Sequence, residues 1–223
     1  MSQEVENKTP EEETDAKEKK SSNAKEFFRD VLIFIIACCV LFILNSTVLI
    51  NAKIPSESME TTLMTHDRVI GNRLAYKSKN PERFDIVIFK YPDDESQYFV
   101  KRIIGLPGDT VVVKEGKVYI NGSKTPLPDD FCQFTNTTPT NSGDGTFKVP
   151  AGHYFMMGDN RNDSLDSRFW INKYVAKDKI TAKVVYIYWP FSHVKGINYK
   201  KVKSEIKPNM VPKASSSPAA SVS

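Results

Sequence analysis

Residues 31–50 read VLIFIIACCVLFILNSTVLI, and no other stretch limits the possible folds so strongly. A helix rises about 1.5 Å per residue, so roughly 20 apolar residues cross the hydrocarbon core of a bilayer. A cleaved secretory signal would be shorter and end in a small-x-small site, whereas this run continues into Asn51, Ala52 and Lys53. A buried core helix would carry a polar face, and residues 31–44 have none. The run therefore reads as a membrane anchor within residues 26–52. Lys17, Lys19, Lys20, Lys25 and Arg29 precede it and only Lys53 follows closely, which predicts a cytoplasmic amino terminus with the chain beyond Lys53 outside.

Residues 1–25 are densely charged and almost free of apolar side chains, too little burial to offset the entropy of ordering, and are expected to be disordered. The 223 residues, 40% of them hydrophobic, support one ordinary core. It is expected in residues 53–207, where short runs rich in Val, Ile, Tyr and Phe are bounded by Gly, Pro, Asn and Asp. These predict strands over 68–74, 85–91, 98–104, 110–114, 117–120, 154–157 and 180–189, with a hairpin turning at Glu115 and Gly116. The fold class read from this pattern is mainly β: an antiparallel, folded-over or partly closed sheet behind a single amino-terminal transmembrane helix. Residues 126–150 are dense in turn-formers and read as an insertion or minor lobe rather than core, within a variable minor lobe at 110–150. Residues 208–223 read as a low-complexity mobile tail.

Composition excludes several functions. A net charge of +4 from 31 basic and 27 acidic residues forms no basic stripe, which argues against nucleic acid as a partner. Cys38, Cys39 and Cys132 make no disulfide framework, and no Cys/His spacing predicts a zinc site. No metal or cofactor is expected.

The chemistry is expected just beyond the anchor, in Ile54-Pro55-Ser56-Glu57-Ser58-Met59. A serine hydroxyl needs a base to become a nucleophile. His66, His153 and His193 all stand in turn-like or polar contexts and read as surface residues, which leaves lysine. Lys101 lies in a strand whose pleat sends Phe99, Lys101 and Ile103 to one face. At a reference pKa of roughly 10.4, fewer than about one lysine in a thousand is neutral at pH 7. Desolvation lowers that pKa by up to about 3 to 5 units, so a packed Lys101 would serve as a base and a solvent-facing one would not. The pattern leaves both orientations open. A third segment, Gly158 to Arg168, is rich in Asp, Asn, Ser and Arg and reads either as a loop held by ion pairs or as an ordinary solvated loop.

Taken in order, Pro55-Ser56-Glu57-Ser58-Met59, then Lys101-Arg102-Ile103-Ile104-Gly105-Leu106-Pro107-Gly108-Asp109, then Gly158-Asp159-Asn160-Arg161 with Ser164 and Asp166-Ser167-Arg168, resemble the signature boxes of bacterial type I signal peptidases. The resemblance covers about residues 54–189 and is loose over 110–150. It implies Ser58 as nucleophile, Lys101 as general base, and the Ser56 side chain with the Ser58 N–H as oxyanion hole. It further implies Ser164 as the hydroxyl that orients the lysine, and Arg102, Asp166 and Arg168 as a structural ion-pair group. Thr61 stands where many relatives have proline, His66 where a glycine often precedes Asp67, and Ile171 where a glycine often follows tryptophan; each puts local turn geometry in question.

The implied activity is endoproteolytic removal of signal peptides from exported precursors at the outer face of the cytoplasmic membrane. Its partners would be those precursors and membrane lipid. Ile54, Met59, Leu63, Phe99 and Val100 are close enough in sequence to line substrate pockets, and equally suited to plain core. Two rivals are a regulatory peptidase related to self-cleaving repressors, which lack a membrane span, and an anchored β binding or scaffold module in which Ser58 and Lys101 are incidental.

Overall fold

The computed structural model describes residues 10–128, 132 and 143–199, and divides the chain into two compact units, 1–47 and 48–223. Helix α1, Pro10–Val48, contains a stretch, Lys25–Val48, long and apolar enough to cross a membrane, none of it buried. Large apolar side chains such as Phe28, Phe34 and Phe42 are exposed along it. The helix begins earlier than composition predicts: residues 10–25, expected to be disordered, continue it, while 1–9 and the expected tail at 208–223 lie outside the described residues. Glu, Ala and Lys are good helix formers, and extending an already nucleated helix costs little. At its other end the helix stops at Val48, so the last residues of the predicted anchor belong instead to strand β1, Leu49–Lys53.

Ten further strands follow: β2 Arg68–Asn72, β3 Ile86–Tyr91, β4 Asp94–Gly105, β5 Thr110–Lys114, β6 Lys117–Ile120, β7 Gly145–Lys148, β8 His153–Met157, β9 Val175–Ala176, β10 Ile180–Trp189 and β11 Lys195–Gly196. The larger sheet runs β1-β2-β10-β3-β4-β8-β9, with β11 also on β10; the smaller is β6-β5-β7. All registered pairs are antiparallel. Strand β3 sits between β10 and β4, and its Ile86, Val87, Ile88 and Phe89 are all buried, as a central strand covered on both faces requires. Between β5 and β6, Glu115 and Gly116 both have positive φ, the signature of a two-residue hairpin turn.

The described residues hold three apolar clusters. One gathers Ile54, Met59, Leu63, Val69, Ile86, Ile88, Ala182, Val184 and Ile187 beneath the start of the β domain. The second joins Val87, Phe89, Ile103, Met156 and Trp170, with Phe99 packed against it. The third corrects the reading of 126–150 as an insertion without core: Leu127, Phe147 and Val149 are buried there with Phe84, Val111 and Phe155. The reason is pairing, since β7 hydrogen-bonds to β5 and so places Phe147 opposite Val111.

Candidate active site

Ser58 lies in a short 3-10 turn, Glu57–Met59, reached directly from β1. The turn is held from below, where Met59 and Leu63 are buried plugs and the Leu63 N–H donates to Met59 O at 2.9 Å. It is held at its base as well: Ile54 donates to Asp67 O at 2.9 Å and accepts from the His66 N–H at 2.8 Å. His66 occupies the left-handed region at φ 72°, a conformation that glycine adopts without strain. Of the other departures, Ile171 is held by its N–H donating to Asp93 and points its side chain into solvent.

Lys101, only 4% exposed, projects from β4 and its Nζ donates to Ser58 Oγ. Its ammonium also lies 5.8 Å from the centroid of the Phe99 ring, on the apolar face that the pleat predicts. Burial is the main influence on its pKa, lowering it from 10.5 to about 8, with Asp166 and Asp159 pulling partly back upward. At pH 7 roughly a tenth of such amines are neutral, several-hundredfold more than for an ordinary lysine. Ser56 Oγ stands 3.2 Å from Ser58 Oγ, at the start of the same turn.

The loop after β8 closes over the same turn. The Asn160 N–H donates to Ser58 O at 3.1 Å and its side-chain amide to Glu57 O at 3.3 Å. Close approach depends on Gly158, where a Cβ would lie 2.2 Å from Ser164 Oγ and 2.3 Å from Ser58 O. Ser164 is thus brought to the Ser58 turn. Its hydroxyl is buried and lies outside hydrogen-bonding geometry with any described residue.

The three charged residues expected to form one ion-pair group fall into two separate forks. Arg168 bonds Asp166 through Nε and NH2, both at 2.8 Å. Burial alone would raise the Asp166 carboxyl; the Arg168 guanidinium and the Gly158 N–H outweigh it and hold it below the usual range. Arg102 instead bonds Asp159 at 2.8 and 2.5 Å, and Thr62 Oγ1 donates to the same carboxylate at 2.5 Å. The sequence assigns no role to Asp159, Thr62, Asn160 or Gly158. Asp159 and Asn160 stand in a recognised box, but nothing local shows what they hold.

Beside Ser58 and Lys101 lies a groove of about 490 Å³. Ile54, Met59, Phe99 and Val100 line it, whereas Leu63 does not and belongs to the core. On β4 the ladder to β8 begins at Arg102, so residues 97–101 have an unpaired edge facing the groove among the described residues. No cluster of His, Cys, Asp or Glu among the described residues has the arrangement of a metal site.

A serine hydroxyl in contact with a buried amine of lowered pKa, at the wall of an apolar groove, is an arrangement that can supply the nucleophile and base of a serine hydrolase. Comparison with known proteins narrows the class. The family model described as "Signal peptidase, peptidase S26" matches residues 27–189. The chain is 33% identical to signal peptidase IB of Staphylococcus aureus, over 77% of its own length and 94% of that relative's. It is 39% identical to probable signal peptidase I-2 of Synechocystis sp., where it spans 63% of the relative's length. A solved signal peptidase I from Enterococcus faecalis V583 is 35% identical, with a TM-score of 0.39 over 47% of this chain and 97% of that one. The chain belongs to the signal peptidase family, peptidase S26.

Proposed function

We propose that the protein is a membrane-anchored serine endopeptidase that removes amino-terminal signal peptides from exported precursors, with Ser58 as nucleophile and Lys101 as general base. The observation that carries this reading is the hydrogen bond from Lys101 Nζ to Ser58 Oγ in a site where burial brings the lysine pKa to about 8. Neutral Lys101 takes the Ser58 proton as Oγ attacks the scissile carbonyl. Ser56 Oγ and the Ser58 N–H receive the developing oxyanion, a contribution of roughly 3 to 4 kcal/mol per donor in comparable sites. The lysine then protonates the leaving amine and activates water to release the acyl group.

Substrate binds extended along the free edge of β4 at residues 97–101, where main-chain hydrogen bonds supply affinity. Its alternate side chains meet Ile54, Met59, Phe99 and Val100. Helix α1 fixes the enzyme in the cytoplasmic membrane with the β domain on the outer side, where exported precursors emerge; the lysines before the span support that orientation.

The test is cleavage of a precursor carrying an Ala-x-Ala site by wild-type, Ser58→Ala and Lys101→Ala proteins in detergent. Both variants are expected to lose activity while remaining folded. Near-normal turnover by either folded variant would exclude the assignment and favour an anchored binding module. Protease digestion of intact spheroplasts tests the topology: the β domain is cut from outside, and protection of it reverses the orientation.

A further inference from the structure

A second cavity, of about 500 Å³, lies at the other end of β1 from Ser58 and is lined by Arg73, Tyr76, Lys77, Gly152, Lys177, Asp178 and Ile180. Its charge is one-sided. Arg73, Lys77 and Lys177 face a single acid, Asp178, and none of the three forms an ion pair among the described residues. Their other contacts are with neutral groups, Arg73 Nε donating to Leu49 O at 3.2 Å and Lys177 Nζ to Asn80 Oδ1 at 2.7 Å. The segment Arg73 to Asn80 adds Lys79 and holds no acidic residue.

The place of this cluster in the chain supplies the second argument. Leu49 pairs with Asn72, and the Arg73 N–H donates to Val48 O at 2.8 Å, so one residue that lines the cleft is bonded to the residue at which the apolar helix ends. For a chain anchored by that helix, Arg73, bonded to its last residue, follows directly on the end of the apolar span, where headgroups begin. Unpaired cations there attract anionic lipid, an interaction that salt screens.

We propose that Arg73, Lys77 and Lys177 form a binding site for the phosphate of an anionic phospholipid headgroup. This site rests on the membrane-anchored reading and adds to it a lipid preference. It stands apart from the Ser58 groove, so its occupancy is separable from proteolysis.

The test uses the full chain reconstituted in phosphatidylcholine vesicles with trace photoactivatable phosphatidylglycerol or photoactivatable phosphatidylcholine, with crosslinked peptides identified by mass spectrometry. Peptides spanning residues 73–80 and 177–178 are expected to be labelled at least about fivefold more by the anionic probe, and less at high salt. The combined Arg73→Gln, Lys77→Gln and Lys177→Gln variant is expected to lose that preference while cleaving a detergent-solubilised precursor normally. Equal labelling by the two probes, or labelling unchanged in the variant, overturns the site. Full competition by millimolar inorganic phosphate overturns the lipid assignment in favour of a free-phosphate site, and a short oligonucleotide that displaces the probe overturns it in favour of nucleic acid. Alkaline carbonate extraction separates the two levels: a chain released from the vesicles fails the anchored reading, whereas a retained chain without headgroup preference fails this site alone.

Discussion

Arg102 and Asp159, 57 residues apart, form a buried two-point ion pair at 2.8 and 2.5 Å that joins β4 to the loop closing over the Ser58 turn. The guanidinium also donates to Phe84 O at 2.9 Å and to Thr62 Oγ1 at 3.2 Å, so one cation ties four segments together. Replacing Asp159 with Asn leaves that cation buried without its counter-charge. The expected cost is about 3 to 5 kcal/mol of stability, read from urea unfolding of the detergent-solubilised protein. A cost below about 1 kcal/mol would mean that solvent reaches the pair.

Gly158→Ala separates positioning from stability. The added Cβ would sit 2.3 Å from the Ser58 carbonyl oxygen, which is backbone and cannot rotate aside as the Ser164 hydroxyl can. The Ser58 turn must therefore move, and a displacement of about 1 Å costs on the order of 100-fold in rate if Ser58 is the nucleophile proposed above. The expected result is a folded protein, by circular dichroism, with kcat reduced to that extent. Retained turnover would show that the turn is not held against Gly158.

Much of the fold is legible in the sequence where local chemistry and long-range pairing agree. The ends of β5, β6 and β10 fall where the apolar runs and turn residues put them. Strand β1 was hidden, because its Leu49 and Ile50 continue the apolar run of the helix and only pairing with β2 makes them a strand. Strands β9 and β11, of two residues each, and β7 among turn-formers exist through their partners alone. At the site the pleat identified the apolar neighbours of Lys101 but left its orientation open, since burial depends on what packs over the strand. The partners Asp159 for Arg102 and Asn160 for Ser58 were unreadable for the same reason, lying 57 and 102 residues away with no local periodicity to mark them.

His66 offers a case where the sequence departs from what its backbone prefers. Its φ of 72° costs a side-chain-bearing residue roughly 1 to 2 kcal/mol, partly offset because glycine gains more freedom on unfolding. The side chain is exposed, and the hydrogen bond from the His66 N–H to Ile54 O is kept by any residue but proline. His66→Gly is expected to raise stability by about 0.5 to 1 kcal/mol with activity within twofold of wild type. Loss of stability on urea unfolding would place an unrecognised contact on the imidazole.

Lys101 links activity and stability to pH in the same direction. Below pH 8 the lysine is charged in both folded and unfolded chains, and the folded state bears the full cost of burying that charge. Between about pH 8 and 10.5 the folded chain has released the proton while the unfolded chain still holds it, so unfolding requires proton uptake and stability rises with pH. Above 10.5 neither state is charged and the rise ends. Its full extent is on the order of 3 kcal/mol. Activity follows the same deprotonation: kcat/KM for precursor cleavage is expected to climb with a midpoint near pH 8. Lys101→Met removes the buried charge and keeps the apolar stem, so it is expected to be inactive yet more stable than wild type at pH 7, the advantage fading toward pH 10.5. Urea unfolding of both proteins at pH 7 and pH 10 measures the effect. If Lys101→Met is the less stable protein at pH 7, the amine contributes more through its bond to Ser58 than its burial costs, and the lowered pKa is not the basis of its reactivity.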